Sequence, residues 1–319
     1  MKKILMMFLA AALVGTGVTP TDVEAATRKK AVTGKKKAPR VVMQITTKKV
    51  ARAKSAHRSA SVVDAHHLAL QSSAALVLDQ TTGAILFEKN PNVVLPIASI
   101  TKLMTAMVVL DAKPDLTETL VIGEDDVDVI KGTRSRLKVG THLAREELLR
   151  LALMSSENRA AAALSRHYPG GREAFVSAMN QKAQVLGLVD TRFQDATGLT
   201  AANVSSPRDL AKMVDAAHQY PLIREFSTTS EGEFSIAGRQ QQFRNTNTLV
   251  KNPMWEIGLS KTGYINEAGK CLVMQAWLNN KPIIIVLLDS WGKLTRIGDA
   301  NRIKRWVESA SLPQRPSAG

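Results

Sequence analysis

A serine and a lysine three positions apart, Ser99 and Lys102, are the residues whose spacing most clearly predicts chemistry. On a helix, positions i and i+3 share a face, so the lysine amine can reach the serine hydroxyl and, when uncharged, take its proton. Burial or a neighbouring cation would keep the amine neutral. The same spacing also arises by chance, as at Ser290 and Lys293, and a serine at a helix start can simply cap the helix.

Two further short segments carry polar groups of complementary kinds. Ser156 and Asn158 lie between two predicted helices, where a hydroxyl can relay a proton and an amide can hold a substrate carbonyl. Lys261, Thr262 and Gly263 lie in a predicted strand. Because side chains alternate along a strand, the lysine and the glycine share one face, a cation beside a position without a side chain. The alternatives are a helix cap for Ser156 and a solvated sheet lysine for Lys261.

Strands near both chain ends and helices between them position these segments. A hairpin is predicted over 75–87, because two apolar runs flank a turn that contains Gly83. Over 99–112 the apolar spacing becomes helical. Ser206 before Pro207 marks another helix start. The other predicted helices are 145–154, 159–168, 172–186, 207–218 and 294–309, and the other predicted strands are 256–264, 271–278 and 282–288.

This arrangement predicts an α+β fold. We expect one antiparallel sheet formed from both chain ends, with flanking helices and an inserted all-helical lobe of about residues 100–225. A site is expected in the seam between lobe and sheet. The expected order along the chain is a signal peptide at 1–25, a basic disordered tether at 26–65, a single catalytic domain at 66–312 and a tail at 313–319.

The positive charge is concentrated in one short segment. The 319 residues carry a net charge of +15, but residues 26–58 alone hold twelve Lys and Arg and no acidic residue. Residues 59–319 hold 29 basic and 26 acidic side chains, so the body is nearly balanced. The segment predicts a flexible tether or, alternatively, a contact with an anionic envelope polymer. Nucleic acid is not an expected partner, because the folded body lacks the necessary basic excess.

The N-terminus has the pattern of an export signal. Two lysines precede an apolar run from Ile4 to Val14, which is too short to span a bilayer, and cleavage is expected after Ala25. No other window is apolar enough for a transmembrane anchor in the mature chain. Because Cys271 is the only cysteine and the histidines show no ligand spacing, we expect no disulfide, no metal and no cofactor.

Taken in order, the serine–lysine, serine–asparagine and lysine–threonine–glycine segments match a set known for penicillin-binding proteins and class A β-lactamases. The sequence resembles the penicillin-recognising serine acyl-transferases, and more closely the low-molecular-mass D-alanyl-D-alanine endopeptidases of the penicillin-binding protein 7 type. The resemblance covers roughly residues 70–310. It rests on the segments Pro96–Asp111, Leu151–Ala161, His167–Gly171, Phe243–Asn247 and Lys261–Tyr264.

The resemblance implies a role for each motif residue. Ser99 would attack the carbonyl of a D-alanyl peptide bond in peptidoglycan and form an acyl-enzyme. Lys102 would be its base, kept neutral partly by the like charge of Lys261. Ser156 would pass the proton to the departing amine, and Asn158 would orient Lys102 and the acyl side chain.

The resemblance also implies how the substrate is held. Backbone N–H groups of Ser99 and Tyr264 would form an oxyanion hole. The strand that carries Lys261, Thr262 and Gly263 would bind the substrate as an added strand. Penicillins and other β-lactams, as cyclic mimics of the same dipeptide, would be trapped covalently at Ser99.

Two features favour one subclass. No glutamate occurs between Glu173 and Glu225, the region in which class A β-lactamases carry a deacylating glutamate, so rapid antibiotic hydrolysis is not expected. The chain stops shortly after the last predicted helix, so we expect the extra C-terminal domain and anchoring helix typical of related carboxypeptidases to be absent. We therefore expect a periplasmic serine D,D-endopeptidase. The alternatives are a D,D-carboxypeptidase and a non-catalytic cell-wall-binding protein.

Overall fold

The computed structural model describes residues 68–292 and 294–310, and the predicted signal peptide, basic tether and C-terminal tail lie outside them. The strands are β1 Ser72–Asp79, β2 Ile85–Lys89, β3 Leu95–Pro96, β4 Thr119–Val121, β5 His142–Ala144, β6 Val204–Ser205, β7 Glu231–Ile236, β8 Arg239–Arg244, β9 Glu256–Ile265, β10 Gly269–Leu278 and β11 Lys281–Ser290. The helices are α1 Thr101–Asp111, α2 Arg145–Met154, α3 Asn158–Arg166, α4 Gly171–Val185, α5 Pro207–His218, α6 Pro221–Thr228 and α7 Thr295–Ala310. Among these described helices, none has the length and apolar character needed to cross a membrane.

Five strands form one antiparallel sheet in the order β2-β1-β11-β10-β9. Strand β1, from the start of the folded region, pairs with β11 from its end, and Ala75 lies opposite Leu287. This pairing confirms the predicted sheet built from both ends of the chain. The central strands β10 and β11 are buried along most of their length, as their nearly continuous apolar sequences require. Strand β9 lies at one edge of the sheet.

The segment between β2 and β9 forms the helical lobe. Helix α1 is buried from Thr101 to Val109, so it is apolar around most of its circumference and lies at the centre of the lobe. Helices α2 to α6 all contact it. The lobe is not made of helices alone, because β3 pairs with β6 and β4 with β5, and the β7–β8 hairpin follows α6.

Capping chemistry sets the helix boundaries that the sequence predicts best. The Ser206 hydroxyl accepts a hydrogen bond from the Asp209 backbone N–H at 3.3 Å, and Pro207 is the first residue of α5. The predicted ranges of α2 and α5 are confirmed. Helix α6 was not predicted, because its eight residues, beginning at Pro221, are too few to show a helical period.

A buried carboxylate ties the start of β1 to α7. Asp299 accepts hydrogen bonds from the backbone N–H groups of Gln71 and Ser72, at 3.1 and 2.8 Å, and from the Ser72 hydroxyl at 2.6 Å. Arg302 also donates to it. Burial alone would raise the pKa of Asp299, but these hydrogen bonds outweigh it and lower the pKa below its usual value.

We predict that Asp299→Asn destabilises the domain at pH 7 by about 2 kcal/mol, because an amide leaves a buried donor facing other donors. The corresponding fall in melting temperature is about 5 °C. Because the folded-state pKa of Asp299 is depressed, its stabilisation is present above the unfolded pKa of about 3.9 and is lost as pH falls through the folded value. The melting temperatures of the wild type and of Asp299→Asn should therefore converge below about pH 4. The control is Glu233→Gln, at an exposed carboxylate, which should leave the melting temperature unchanged. A difference in melting temperature between the wild type and Asp299→Asn that stays constant at all pH values would contradict the role of the Asp299 carboxylate.

Candidate active site

Ser99 lies in a 3-10 turn, Ala98–Ile100, that leads into α1. Ile100 is the N-cap residue, and no side chain caps α1 there, so the alternative role of Ser99 as a cap is excluded. Ala98 has a φ of 47°, which is rare for alanine. Gly198 packs against this residue, because a Cβ at Gly198 would lie 2.0 Å from the Ala98 carbonyl oxygen. The close contact holds the serine turn in its unusual conformation.

The Lys102 side chain is fully buried one turn beyond Ser99. Its Nζ lies 2.8 Å from Ser99 Oγ, 2.7 Å from Asn158 Oδ1 and 2.7 Å from the Thr197 carbonyl oxygen. The predicted contact between the amine and the hydroxyl is therefore present. A neutral amine has two N–H groups and one lone pair, so donation to the two carbonyl-type oxygens leaves the lone pair for the Ser99 hydroxyl proton.

Burial lowers the pKa of Lys102 from 10.5 to about 7, because no water solvates the ammonium form. The carboxylates of Asp195 and Glu157 act in the opposite direction and stabilise the ammonium. Sequence reasoning attributed the neutral amine partly to the charge of Lys261, but desolvation is the main cause. At neutral pH a substantial fraction of Lys102 is thus free base.

Ser156 and Lys261 form a second contact pair. Lys261 is buried, and its Nζ donates to Ser156 Oγ at 2.9 Å and to the Thr262 carbonyl oxygen at 3.0 Å. Ser156 has a left-handed φ of 61°, in the turn between α2 and α3. The pKa of Lys261 is lowered by burial first and by the charges of Lys102 and Arg296 second. The two lysines therefore belong to one electrostatic cluster.

The edge strand β9 passes directly beside the serine turn. A Cβ at Gly263 would lie 2.8 Å from the Ile97 carbonyl oxygen and 3.1 Å from Ser99 N, so the missing side chain permits this approach. Lys261 and Gly263 face the lobe together, as their alternation predicts. The Thr262 hydroxyl donates to Thr246 Oγ1 at 2.7 Å. Tyr264 is 55% exposed and donates its hydroxyl to Asn266 at 2.9 Å.

Sequence reasoning missed the loop that closes the site on the side of Asn158. Thr197 contributes only a backbone oxygen, and Asp195 acts through its charge, so neither role leaves a signal in residue spacing. Another serine of the same spacing, Ser290, lies in β11 and shares a hydrogen bond with Ser72 at 2.7 Å, away from the Lys102 amine. In the described residues no group of three His, Cys, Asp or Glu side chains is arranged to hold a metal ion.

A family model for D-alanyl-D-alanine carboxypeptidases, peptidase family S11, matches residues 60–292. The chain belongs to this family. It is 50% identical over 253 residues to a D-alanyl-D-alanine endopeptidase of Pseudomonas aeruginosa, a match that covers 78% of this chain and 81% of that protein. It is 46% identical over 263 residues to a D-alanyl-D-alanine endopeptidase of Escherichia coli, covering 82% and 85% of the two chains.

The fold of this S11 peptidase agrees with that of a solved relative. The crystal structure of the Streptomyces K15 DD-transpeptidase superposes with a TM-score of 0.70 at 28% identity, over 76% of this chain and 98% of the other. The predicted α+β fold and the predicted family are thus confirmed. The cluster of Ser99, Lys102, Ser156 and Lys261 lies between sheet and lobe of this S11 fold, where the sequence predicts a site.

We predict that the side chain of Lys102 titrates with a midpoint near pH 7, the value to which burial lowers its pKa. Below that pH the ammonium dominates and above it the free amine. NMR of protein labelled with ¹³C at the lysine ε-carbons measures the titration, and Lys102→Met identifies the resonance by its loss. Exposed lysines provide an internal control at about pH 10.4. A Lys102 midpoint above pH 9 would show that burial does not suppress the charge.

Proposed function

We propose that the chain is a penicillin-sensitive serine D,D-endopeptidase that cleaves D-alanyl cross-links in peptidoglycan through an acyl-enzyme on Ser99. One observation carries the proposal: the 2.8 Å contact between Ser99 Oγ and a buried amine whose pKa is near neutrality. Such a pair supplies a nucleophile and its base without a histidine. The names of the two relatives, both endopeptidases, support the choice of reaction.

Acylation begins with proton transfer from Ser99 Oγ to the free amine of Lys102. The oxygen bonds to the carbonyl carbon of the D-alanyl residue, and the carbonyl oxygen becomes an oxyanion. Backbone N–H groups of Ser99 and Tyr264 are the proposed donors to that oxyanion. The 3.1 Å approach of a Gly263 Cβ position to Ser99 N supports this arrangement, because it brings β9 beside the serine turn.

Breaking the C–N bond requires a proton on the leaving amine. We assign its delivery to Ser156, whose hydroxyl passes the proton from the Lys102 ammonium to the departing nitrogen, so that Lys102 returns to the free base. The 2.9 Å hydrogen bond from Lys261 to Ser156 Oγ holds that hydroxyl in place. Water then adds to the ester carbon and releases the acyl group from Ser99.

The edge strand provides the proposed substrate-binding surface. The substrate backbone pairs with β9 as an added antiparallel strand. Lys261 offers its amine to the carboxylate of the leaving residue, whose negative charge favours the ammonium form of that lysine, with Thr262 beside it. The space left by the missing side chain of Gly263 is taken by the serine turn, so a peptide bound at β9 lies next to Ser99. The carboxamide of Asn158 contacts the acyl side chain as well as Lys102. No cofactor enters any of these steps.

The setting of the reaction is part of the proposal. Residues 1–25 would direct export to the periplasm with cleavage near Ala25, and the basic residues 26–58 would contact anionic envelope polymers. Peptidoglycan is the substrate there, and β-lactams are covalent inhibitors. A D,D-carboxypeptidase is the second candidate, because the matching family model carries that description.

We predict that a fluorescent penicillin labels the wild-type protein covalently and that Ser99→Ala abolishes the label, since Ser99 is the one hydroxyl among the described residues that contacts the Lys102 amine. Gel fluorescence after denaturation measures the bond. The matched control is Ser290→Ala, which removes the serine of another Ser-x-x-Lys segment and should keep the label. Labelling of Ser99→Ala would contradict the assigned nucleophile, and no labelling of folded wild type would favour a non-catalytic wall-binding protein.

Digestion of purified sacculi tests the choice of bond. The wild-type enzyme is expected to reduce cross-linked dimers and raise monomers, as measured by chromatography of the muropeptides, whereas Ser99→Ala leaves both unchanged. Release of terminal D-alanine without loss of dimers would instead identify a carboxypeptidase.

A further inference from the structure

A chain of hydrogen bonds leads from the surface loop before β5 to the Lys102 amine. Asp128 Oδ2 accepts from the Thr133 hydroxyl at 2.7 Å, and Thr133 Oγ1 accepts from Asn158 Nδ2 at 3.1 Å. Asn158 Oδ1 in turn accepts from Lys102 Nζ at 2.7 Å. Asp128 and Thr133 belong to none of the segments on which the family resemblance rests.

The carboxylate determines the direction of every bond in this chain. Asp128 is an acceptor only, so the single hydroxyl proton of Thr133 is donated to it. The Thr133 oxygen can then only accept, which requires the NH₂ group of Asn158 on that side. Its carbonyl oxygen consequently faces Lys102. A flipped carboxamide would place Asn158 Oδ1 against Thr133 Oγ1 with no proton between the two oxygens. It would also turn the NH₂ group of Asn158 towards the Lys102 amine.

The loop is built to keep Asp128 ionised and fixed. Its Oδ1 accepts from the backbone N–H groups of Ile130 and Lys131, at 2.8 and 2.9 Å, and its Oδ2 also accepts from Thr133 N at 2.8 Å. Burial acts to raise the pKa of Asp128, but these hydrogen bonds outweigh it and lower the pKa. A carboxylate with four donors anchors the Thr133 hydroxyl in one rotamer.

We propose that Thr133 is a positioning residue: its hydroxyl, oriented by Asp128, fixes the Asn158 carboxamide so that the Lys102 lone pair points at Ser99. The step rests on the proposed function, because it concerns the base of that reaction. With Asn158 Oδ1 and the Thr197 oxygen occupying both N–H groups of the free amine, only the lone pair remains for the serine proton. Without the anchor, Asn158 samples both orientations and the lone pair is no longer reserved for Ser99.

The test compares Thr133→Val, which has the same shape without the hydroxyl, with Thr133→Ser, which retains it. We expect the second-order rate of acylation by penicillin to fall about 10- to 100-fold in the valine variant and to recover in the serine variant. Because Thr133 N still donates to Asp128, the loop should keep its fold. Val129→Ala, at a 91% exposed position of the same loop, is the control and should acylate like the wild type.

The pH profile of acylation separates positioning from a general loss of structure. The acidic limb of the profile reports the titration of Lys102. The charged groups that face Lys102 are Asp195, Glu157 and Lys261, and all three are unchanged in these variants. Thr133→Val should shift the limb to lower pH, because the ammonium loses a fixed acceptor, and Thr133→Ser should restore it. If the valine variant does not fold, Thr133→Ala undergoes the same measurement.

Three outcomes are distinct. In the first outcome, penicillin labels the wild type, and Thr133→Val changes neither the acylation rate nor the acidic limb of the pH profile. This outcome overturns the positioning role alone. Equal losses in the valine and serine variants, with no movement of the limb, also overturn it and indicate a structural role. Failure of the folded wild type to react with penicillin overturns the proposed function, and the positioning inference with it.

Discussion

Lys102 holds an amine in the protein interior with three uncharged oxygens as its hydrogen-bond partners. A carboxylate in direct contact would fix the ammonium form, and exposure to water would do the same, so both must be kept at a distance for the amine to act as a base. Asp195 and Glu157 lie near enough to moderate the desolvation without cancelling it. The rest of the site follows from this balance between burial and charge.

Close packing of backbone against backbone keeps the serine next to that amine. The strained turn at Ala98 has Gly198 on one side and Gly263 on the other, and at both glycines a Cβ would collide with the turn. The turn therefore lies between a loop of the lobe and the edge strand of the sheet. A small movement of either layer would displace Ser99, because close-packed protein interiors have little free space to absorb such a movement.

Much of the fold could be predicted from the sequence because its signals are local. Ser206 and Pro207 define the start of α5 by capping chemistry, and the apolar runs of β10 and β11 define buried strands. The β7–β8 hairpin was missed because its strands are largely exposed, with β8 reading Arg-Gln-Gln-Gln-Phe-Arg and presenting no sustained apolar alternation. Pairing with its neighbour, not composition, makes that segment a strand.

The residues of the active site divide in the same way, into those that local sequence signals locate and those that only the tertiary fold brings together. Ser99, Lys102, Ser156 and Lys261 could be found because each belongs to a short segment of recognisable chemistry. Thr133 could not, since its role depends on a side chain 25 positions away and on the direction of a proton. Interactions of this kind are created by the tertiary fold and leave no periodicity or spacing behind.

The position of β9 at the sheet edge bears on the solubility of the folded protein. An edge strand offers unpaired backbone groups to any extended chain, which is a common route to aggregation. Here the edge carries the inward-pointing amine of Lys261, and inward-pointing ionisable side chains are a device that natural sheets use against unwanted pairing. A passing strand with no carboxylate would add no partner to the hydrogen bonds that Lys261 already makes with Ser156 and the Thr262 carbonyl oxygen. The residue proposed to bind the cell-wall peptide thus provides no corresponding attraction for the edge strand of another copy of the protein.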